Sequence, residues 1–541
     1  MRRRAVAMKW RQTWLLYPAL LLVALVAWAS SSPPGSSPDD DFHLVSAWCA
    51  FGAREGLCAP GATESTRVVP AEVLHSACYA FTPEVPGNCP YEPGQTVDTD
   101  RGNFAGYYPM GFYWAMGLFA SPSLETSVLL MRIVNSLVYV AGFAALLLFT
   151  PPARRSNYAL ASLVTLVPLG VFVVASVNPS SWAVTAATLM WASVVELVRA
   201  ESRRSQFGLA AVAVFALVLA LSCRADAAVY AAMALGLAWL VTAKRDVATL
   251  IRGAVATVVM CACLVWSRSF GSAEGALTVG AAPTQEEPVD GWFERIQNVI
   301  NIYAGMFGTW GLGWLDTATR AITYVLAGSV FAMAVFWGLR RCNWRKALSL
   351  VSLVVIGAAL PIVFATARHY YVQQGIQPRY FLPIMILIAM IAISEQNDDG
   401  IELGWSQAVL LAVSLALANA SALHVNLRRY VTGIADARFN LNLDVQWWWR
   451  DWPVPPMLIW GLGAVAFFGA GLAAVLIRDT VRSTPSWVPS RRADDQAAPA
   501  APAPAAPAAR RTQSPSGADR VSPSRDAEPS AESPAGGIIL S

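Results

Sequence analysis

The strongest constraint on this 541-residue chain is a recurring one. Apolar windows such as "LLYPALLLVALVAWA" and "MALGLAWLVTA" approach the roughly 20 residues needed to cross a bilayer. Hydropathy predicts about twelve spans, over 14–30, 126–150, 157–177, 179–198, 207–223, 225–242, 248–267, 321–339, 347–366, 380–394, 404–422 and 457–477. The pair within 207–242 is nearly continuous and is the weakest division. The expected fold class is an all-α polytopic membrane protein. Only 14% of residues are charged, against roughly 25% in soluble domains. A net charge of +4 gives no reason to expect a nucleic-acid partner; the expected partner is the lipid bilayer.

Lys and Arg in short loops set the expected orientation. "MRRRAVAMKWR", "PPARRSN", "RAESRRSQ", "TAKRD" and "LRRCNWRK" fall in alternate connections. All are cytoplasmic if the N-terminus is, which puts both termini inside a plasma-membrane protein. Residues 1–13 then form a cytoplasmic N-terminus and 14–487 the membrane domain. "AWA" at 27–29 resembles a cleavage site, but the apolar run is long and the first span is read as a retained anchor. No repeat of 20–50 residues is visible.

Three segments, 31–125, 268–320 and 423–456, become extended outer loops. The first carries Cys49, Cys58, Cys78 and Cys89, which in an oxidising compartment can form two disulfides with three possible connectivities. Cys223, Cys261, Cys263 and Cys342 lie in or beside spans and read as small core residues. Residues 488–541 are rich in Ala, Pro and Ser and read as a disordered cytoplasmic tail, because they cannot bury enough apolar surface.

Ionisable groups at membrane depth are costly and tend to be functional. Five polar segments fall on the expected outer side: "SPDDDFH", "SVNPSSW" (176–182), "SCRADAAVY" (222–230), "GMFGTWGLGWLDT" (305–317) and "ARHYYVQQGIQPRYFLP" (367–383). In the first, Ser37 suits a helix N-cap with Pro38 following, and Asp39, Asp40 and Asp41 suit a helix N-terminus. At about 100° per residue, Asp39, Asp40 and His43 share one face and Asp41 points away. Capping accounts for the acids but not for His43. Two carboxylates could also hold a divalent cation (Mg or Mn) or supply a general base.

Elsewhere both a bland and a functional reading stand. Arg224 and Asp226 form an ion pair, or an arginine that meets phosphate with its orienting acid. Asp316 caps the eighth span or acts in a cavity. Arg379 and Tyr380 anchor an interface, yet His369, Gln373, Gln374 and Gln377 crowd the same short loop. "VQWWWRDWP" (445–453) reads as an aromatic belt, with a sugar or lipid platform as the other reading.

"PDDDFHL" resembles the P-D-E-x-x-H-F signature after the first span of a bacterial multi-pass family, domain of unknown function 2142, with Asp40 in place of the Glu. "YYPMGFYW" (107–114), "SVNPSSW", "SCRADAAVY", "GWLDT" and "QPRYFLP" resemble its later landmarks in the same order, over about residues 10–480. That layout is similar to the GT-C superfamily of membrane glycosyltransferases, which use polyprenyl-phosphate-linked sugars. The resemblance implies a GT-C-like helical bundle with a cavity toward the outer leaflet and an envelope glycan or glycoprotein as acceptor. It implies Asp40 or Asp39 as base or metal ligand, with Asp40 ranked first, and Arg224 or Arg379 on the lipid phosphate. His43, Asp226, Asp316, Gln377 and Tyr380 complete the expected substrate-binding set. Transport or export of a lipid-linked precursor, and a non-catalytic assembly scaffold, are the competing functions.

Overall fold

The computed structural model describes residues 13–92, 94–270, 291–368, 376–394, 404–449 and 454–482. The expected tail at 488–541, and His369, Gln373 and Gln374, lie outside these residues.

The described chain is an all-α bundle with one small sheet. Its main helices are α1 (Leu16–Ser30), α2 (Asp40–Trp48), α3 (Gly111–Gly117), α4 (Leu124–Phe149), α5 (Pro152–Leu166), α6 (Leu169–Val174), α7 (Ser180–Arg199) and α8 (Arg203–Cys223). They continue as α9 (Ala225–Thr242), α10 (Val247–Ser267), α11 (Trp292–Gly305), α12 (Ala321–Gly338), α13 (Trp344–Arg368), α14 (Pro378–Ile393), α15 (Trp405–Val431) and α16 (Pro456–Arg482). Among the described residues nine helices are long and apolar enough to cross a membrane, and α1 and α14 are shorter apolar helices. The span expected over 157–177 is instead two helices, α5 and α6. Pro168 has no N–H to continue the ladder, and Val167 before it is extended. The weak division in 207–242 is real: Arg224 is extended, at φ −153° and ψ 147°, between α8 and α9.

Burial sorts the helices into centre and rim. The most apolar window of α7 is 83% buried, that of α10 only 11%. α7 packs against α8, α9, α4 and α14, and α14 also meets α5, α12 and α13. The small and hydroxyl side chains of "SSWAVTAATLMWAS" let neighbouring backbones approach α7 closely. Their hydroxyls donate back to carbonyls of the preceding turn, as Thr185 does to Ser181 and Thr188 to Val184. α5 is also buried, although it is polar. Its Arg154 forks onto the fully buried Glu196 of α7, which also accepts from Tyr158 Oη at 2.8 Å. The spans are therefore less free of charge than their hydropathy suggests.

Between α2 and α3, strands β1 (Ala59–Pro60), β2 (Arg67–Pro70) and β3 (Thr96–Thr99) pair antiparallel in that order, with Val68 opposite both Ala59 and Asp98. Of the three connectivities open to the four cysteines, the structure holds Cys49–Cys58 and Cys78–Cys89. Cys223 and Cys263 are buried as expected, but Cys261 and Cys342 are exposed, so they are not core residues. The tryptophans of "VQWWW" also differ from expectation. Trp448 and Trp449 are buried, Trp448 against Tyr430 and Trp449 through a bond from Nε1 to the Ser30 carbonyl. They close the top of α1 and α15 instead of forming an exposed belt.

Candidate functional site

The loop after α1 is folded around a buried guanidinium. Pro33 and Pro34 interrupt regular structure, and Gly35 turns at φ +79°, where an added Cβ would lie 2.6 Å from the Ser76 carbonyl carbon. Arg132 of α4 enters this loop. It donates to the carbonyls of Ala29, Ser32 and Pro33, at 3.1, 2.5 and 2.7 Å, and to Ser36 Oγ at 3.0 Å. Asn426 of α15 holds Ser31 and Ser32 from the other side.

This mounting changes how the acid run is presented. α2 starts at Asp40, and its N-cap is Asp39, not Ser37. Asp39 has a left-handed backbone (φ 64°, ψ 17°), which Asp and Asn tolerate better than most residues. It therefore escapes the helical spacing that would align it with Asp40. Asp40 is fully buried and points inward. One oxygen accepts the Ser37 N–H at 3.0 Å and lies 4.0 Å from Arg132; the other has no hydrogen-bond partner among the described residues. Burial pushes the Asp40 carboxyl up to about 7, against the pull of Arg132.

Asp39 points elsewhere. It pairs with Arg379 at 2.5 Å and with Arg101 at 3.6 Å. Asp41, expected to turn away, joins the same group, because Arg101 Nε donates to it at 2.7 Å. The acidic pair facing a common side is thus Asp39 and Asp41, bridged by Arg101.

Three further segments reach this point. Asn178 of "SVNPSSW" donates to Ser37 Oγ and to the Pro38 carbonyl. Arg224 forks onto Asp226, both bonds at 2.8 Å, and donates to Ser180 Oγ at 3.3 Å. Its guanidinium stands 4.5 Å from the centre of the Tyr380 ring, and that of Arg379 stands 5.1 Å from the same ring. Tyr108 lies 6.0 Å from Arg224. Arg379 Nε and Gln377 Oε1 are buried with no hydrogen-bond partner among the described residues. His43 sits behind these groups, stacked on Tyr113 and sharing a 2.9 Å hydrogen bond between Nδ1 and the Tyr113 hydroxyl. Burial and the nearby arginines push its pKa well down, so the ring is neutral.

A family model described as a predicted membrane protein, domain of unknown function 2142, matches residues 22–388, more than half of the chain. The chain belongs to this family. The matched region of this domain of unknown function 2142 protein contains Asp39, Asp40, His43, Arg101, Arg224, Asp226, Asp316, Gln377, Arg379 and Tyr380, and it ends before Arg429. A search of curated proteins gives no significant match.

Asp316 stands apart. It does not cap α12, whose N-cap is Arg320 without a side-chain cap bond. It accepts from Arg429 of α15 at 2.9 Å. Arg429 also grips the carbonyls of Val85, Tyr79 and Thr82, within the loop closed by Cys78–Cys89. No described contact joins Asp316 to Asp39, Arg224 or Arg379. Asp39 and Asp40, the pair expected to hold a divalent cation, face different arginines and do not converge on one point. Among the described residues no three His, Cys, Asp or Glu side chains are grouped to hold a metal ion.

Sequence reasoning missed Arg101, Arg132, Tyr108 and Arg429. Tyr108 lay in the quoted segment "YYPMGFYW" without being singled out, and Arg132 is the lone charge within the span expected over 126–150.

Proposed function

We propose that this protein is a membrane glycosyltransferase that moves a sugar from a polyprenyl-phosphate donor to a cell-envelope glycan or glycoprotein. The reaction takes place on the outer face of the plasma membrane, with both chain termini in the cytoplasm. The observation that carries this reading is the pair of buried arginines, Arg224 and Arg379, on a single Tyr380 ring, with the Asp39 carboxylate against Arg379. Planar guanidinium forks suit phosphate oxygens, and a carboxylate beside them suits a general base.

Asp39 carries the base role here in preference to Asp40. Asp39 retains some exposure, whereas both oxygens of Asp40 are enclosed behind the loop it helps to fix. Asp39 takes the proton of an acceptor hydroxyl, and that oxygen bonds to the anomeric carbon. The bond from carbon to phosphate oxygen breaks, its electron pair leaves with the phosphate, and the configuration inverts. Arg224 and Arg379 stabilise the charge on the departing phosphate. Asp226 orients Arg224, Gln377 lies at the start of α14 beside them, and His43 supports the Tyr108 and Tyr113 rings from behind.

The test is mass spectrometry of lipids copurifying with the protein, together with complementation of a strain lacking the gene. The reading expects a polyprenyl-phosphate species and loss of surface glycan in Asp39→Asn. Full glycan restoration by Asp39→Asn, made at normal levels, would sink it.

A further inference from the structure

Arg379 is paired in a way that suits a placeholder better than a permanent partner. Its best contact is the carboxylate of Asp39. Its other polar contacts are long, 3.5 Å to the Pro38 carbonyl and 3.3 Å to the Tyr380 hydroxyl, and its Nε has no hydrogen-bond partner among the described residues. A buried guanidinium with an unfilled donor is under-satisfied. Arg224, by contrast, already has both oxygens of Asp226. The carboxylate on Arg379 comes from the left-handed N-cap of α2, outside the rigid helix, and its other oxygen already lies 3.6 Å from Arg101, which also holds Asp41.

We propose that Asp39 occupies Arg379 as an internal stand-in for a phosphate, and that a bound phosphate ester displaces it onto Arg101. This deepens the glycosyltransferase reading and rests on it. Phosphate oxygens can fill two donors of the Arg379 fork, including the one now empty. Asp39 then keeps Arg101 but gains a free oxygen, able to accept a hydrogen bond from an acceptor hydroxyl. Binding of the phosphate end thereby prepares the carboxylate, so the two substrates add in order, phosphate donor first. The exchange also keeps every charge paired, because the arginine that Asp39 leaves is the one the ligand takes.

The experiment uses the full chain in lipid nanodiscs and measures binding by native mass spectrometry. The probes are a long-chain polyprenyl monophosphate, the uncharged polyprenol and inorganic phosphate. Asp39→Asn keeps the residue type that tolerates a left-handed backbone and removes the charge. It should bind the polyprenyl monophosphate at least about tenfold tighter than the unaltered chain, because the competing anion is gone. Arg379→Gln should lose that binding, and polyprenol should not compete. Equal or weaker binding by Asp39→Asn, when the unaltered chain binds, overturns the displacement while leaving the phosphate site standing. Tight binding of inorganic phosphate with no preference for the lipid assigns the site to free phosphate and overturns the lipid donor. No phosphate binding by any form overturns both. A cooperative melting transition for Asp39→Asn in the same nanodiscs shows that it is folded, so that weaker binding by it counts against displacement and not for misfolding.

Discussion

Asp39 and Arg379 lie 340 positions apart in the chain and meet as an ion pair at 2.5 Å. The pair joins the N-cap of the nine-residue helix α2 to the first turn of α14, the most completely buried of the shorter apolar helices. It is also the contact that brings a strained loop residue to the two arginines sharing Tyr380.

That shared ring gives the first prediction. Tyr380→Phe keeps a π face for Arg224 and Arg379, whereas Tyr380→Leu removes it. Cation–π contacts contribute from about 0.5–1 kcal/mol at exposed sites to about 2 kcal/mol when desolvated. Tyr380→Leu should therefore weaken polyprenyl monophosphate binding by about 3- to 30-fold, and Tyr380→Phe by much less. Equal losses in the two variants would place the effect in the hydroxyl instead.

Asp40 predicts a pH-dependent stability. Its folded carboxyl is raised from 3.8 to about 7, so the fold favours the protonated form. That contribution is fully present below the unfolded value and is lost as pH rises toward 7. Thermal melting in detergent should show stability falling from about pH 4 to pH 7 on account of this group. Asp40→Asn should flatten that part of the profile. An unchanged slope in Asp40→Asn would assign it to other groups.

Arg429 and Asp316 form a buried pair, with the arginine also gripping three carbonyls. Removing one partner strands the other, which typically costs about 3–5 kcal/mol. Arg429→Met should lower the melting temperature markedly, and Asp316→Asn less, because the asparagine can still accept from the guanidinium. The same loop is closed by Cys78–Cys89 across eleven residues, and losing that bridge through Cys89→Ser should cost about 2.5–3 kcal/mol.

The spans and their order are legible in hydropathy because burial in lipid demands length and apolarity together. Even the division left weakest, between 207–223 and 225–242, falls where α8 ends and α9 begins. The acid motif was legible as a motif but not as a geometry. A helical spacing of about 100° put Asp39 with Asp40, and the left-handed N-cap separates them. Arg101 was invisible because it lies beyond the sheet in a polar loop where arginine is unremarked.

Deleting 488–541 separates catalysis from scaffolding. An enzyme whose site is built from α2, α9, α14 and Arg101 should restore glycan without this segment, while an assembly scaffold that binds through it should not. Complementation by the truncated chain is the measurement.

A polytopic helical membrane protein, the family signature and the polar segments worth watching are all legible in the linear chain. Those properties depend on local composition and on the energy of placing a peptide in lipid. Tertiary structure alone decided which carboxylate meets which arginine: Asp40 with Arg132, Asp39 with Arg379 and Arg101, Asp316 with Arg429. Buried charges must be paired, but any acid can pair with any base. The choice is made by backbone positions hundreds of residues apart, and only the packed bundle fixes those.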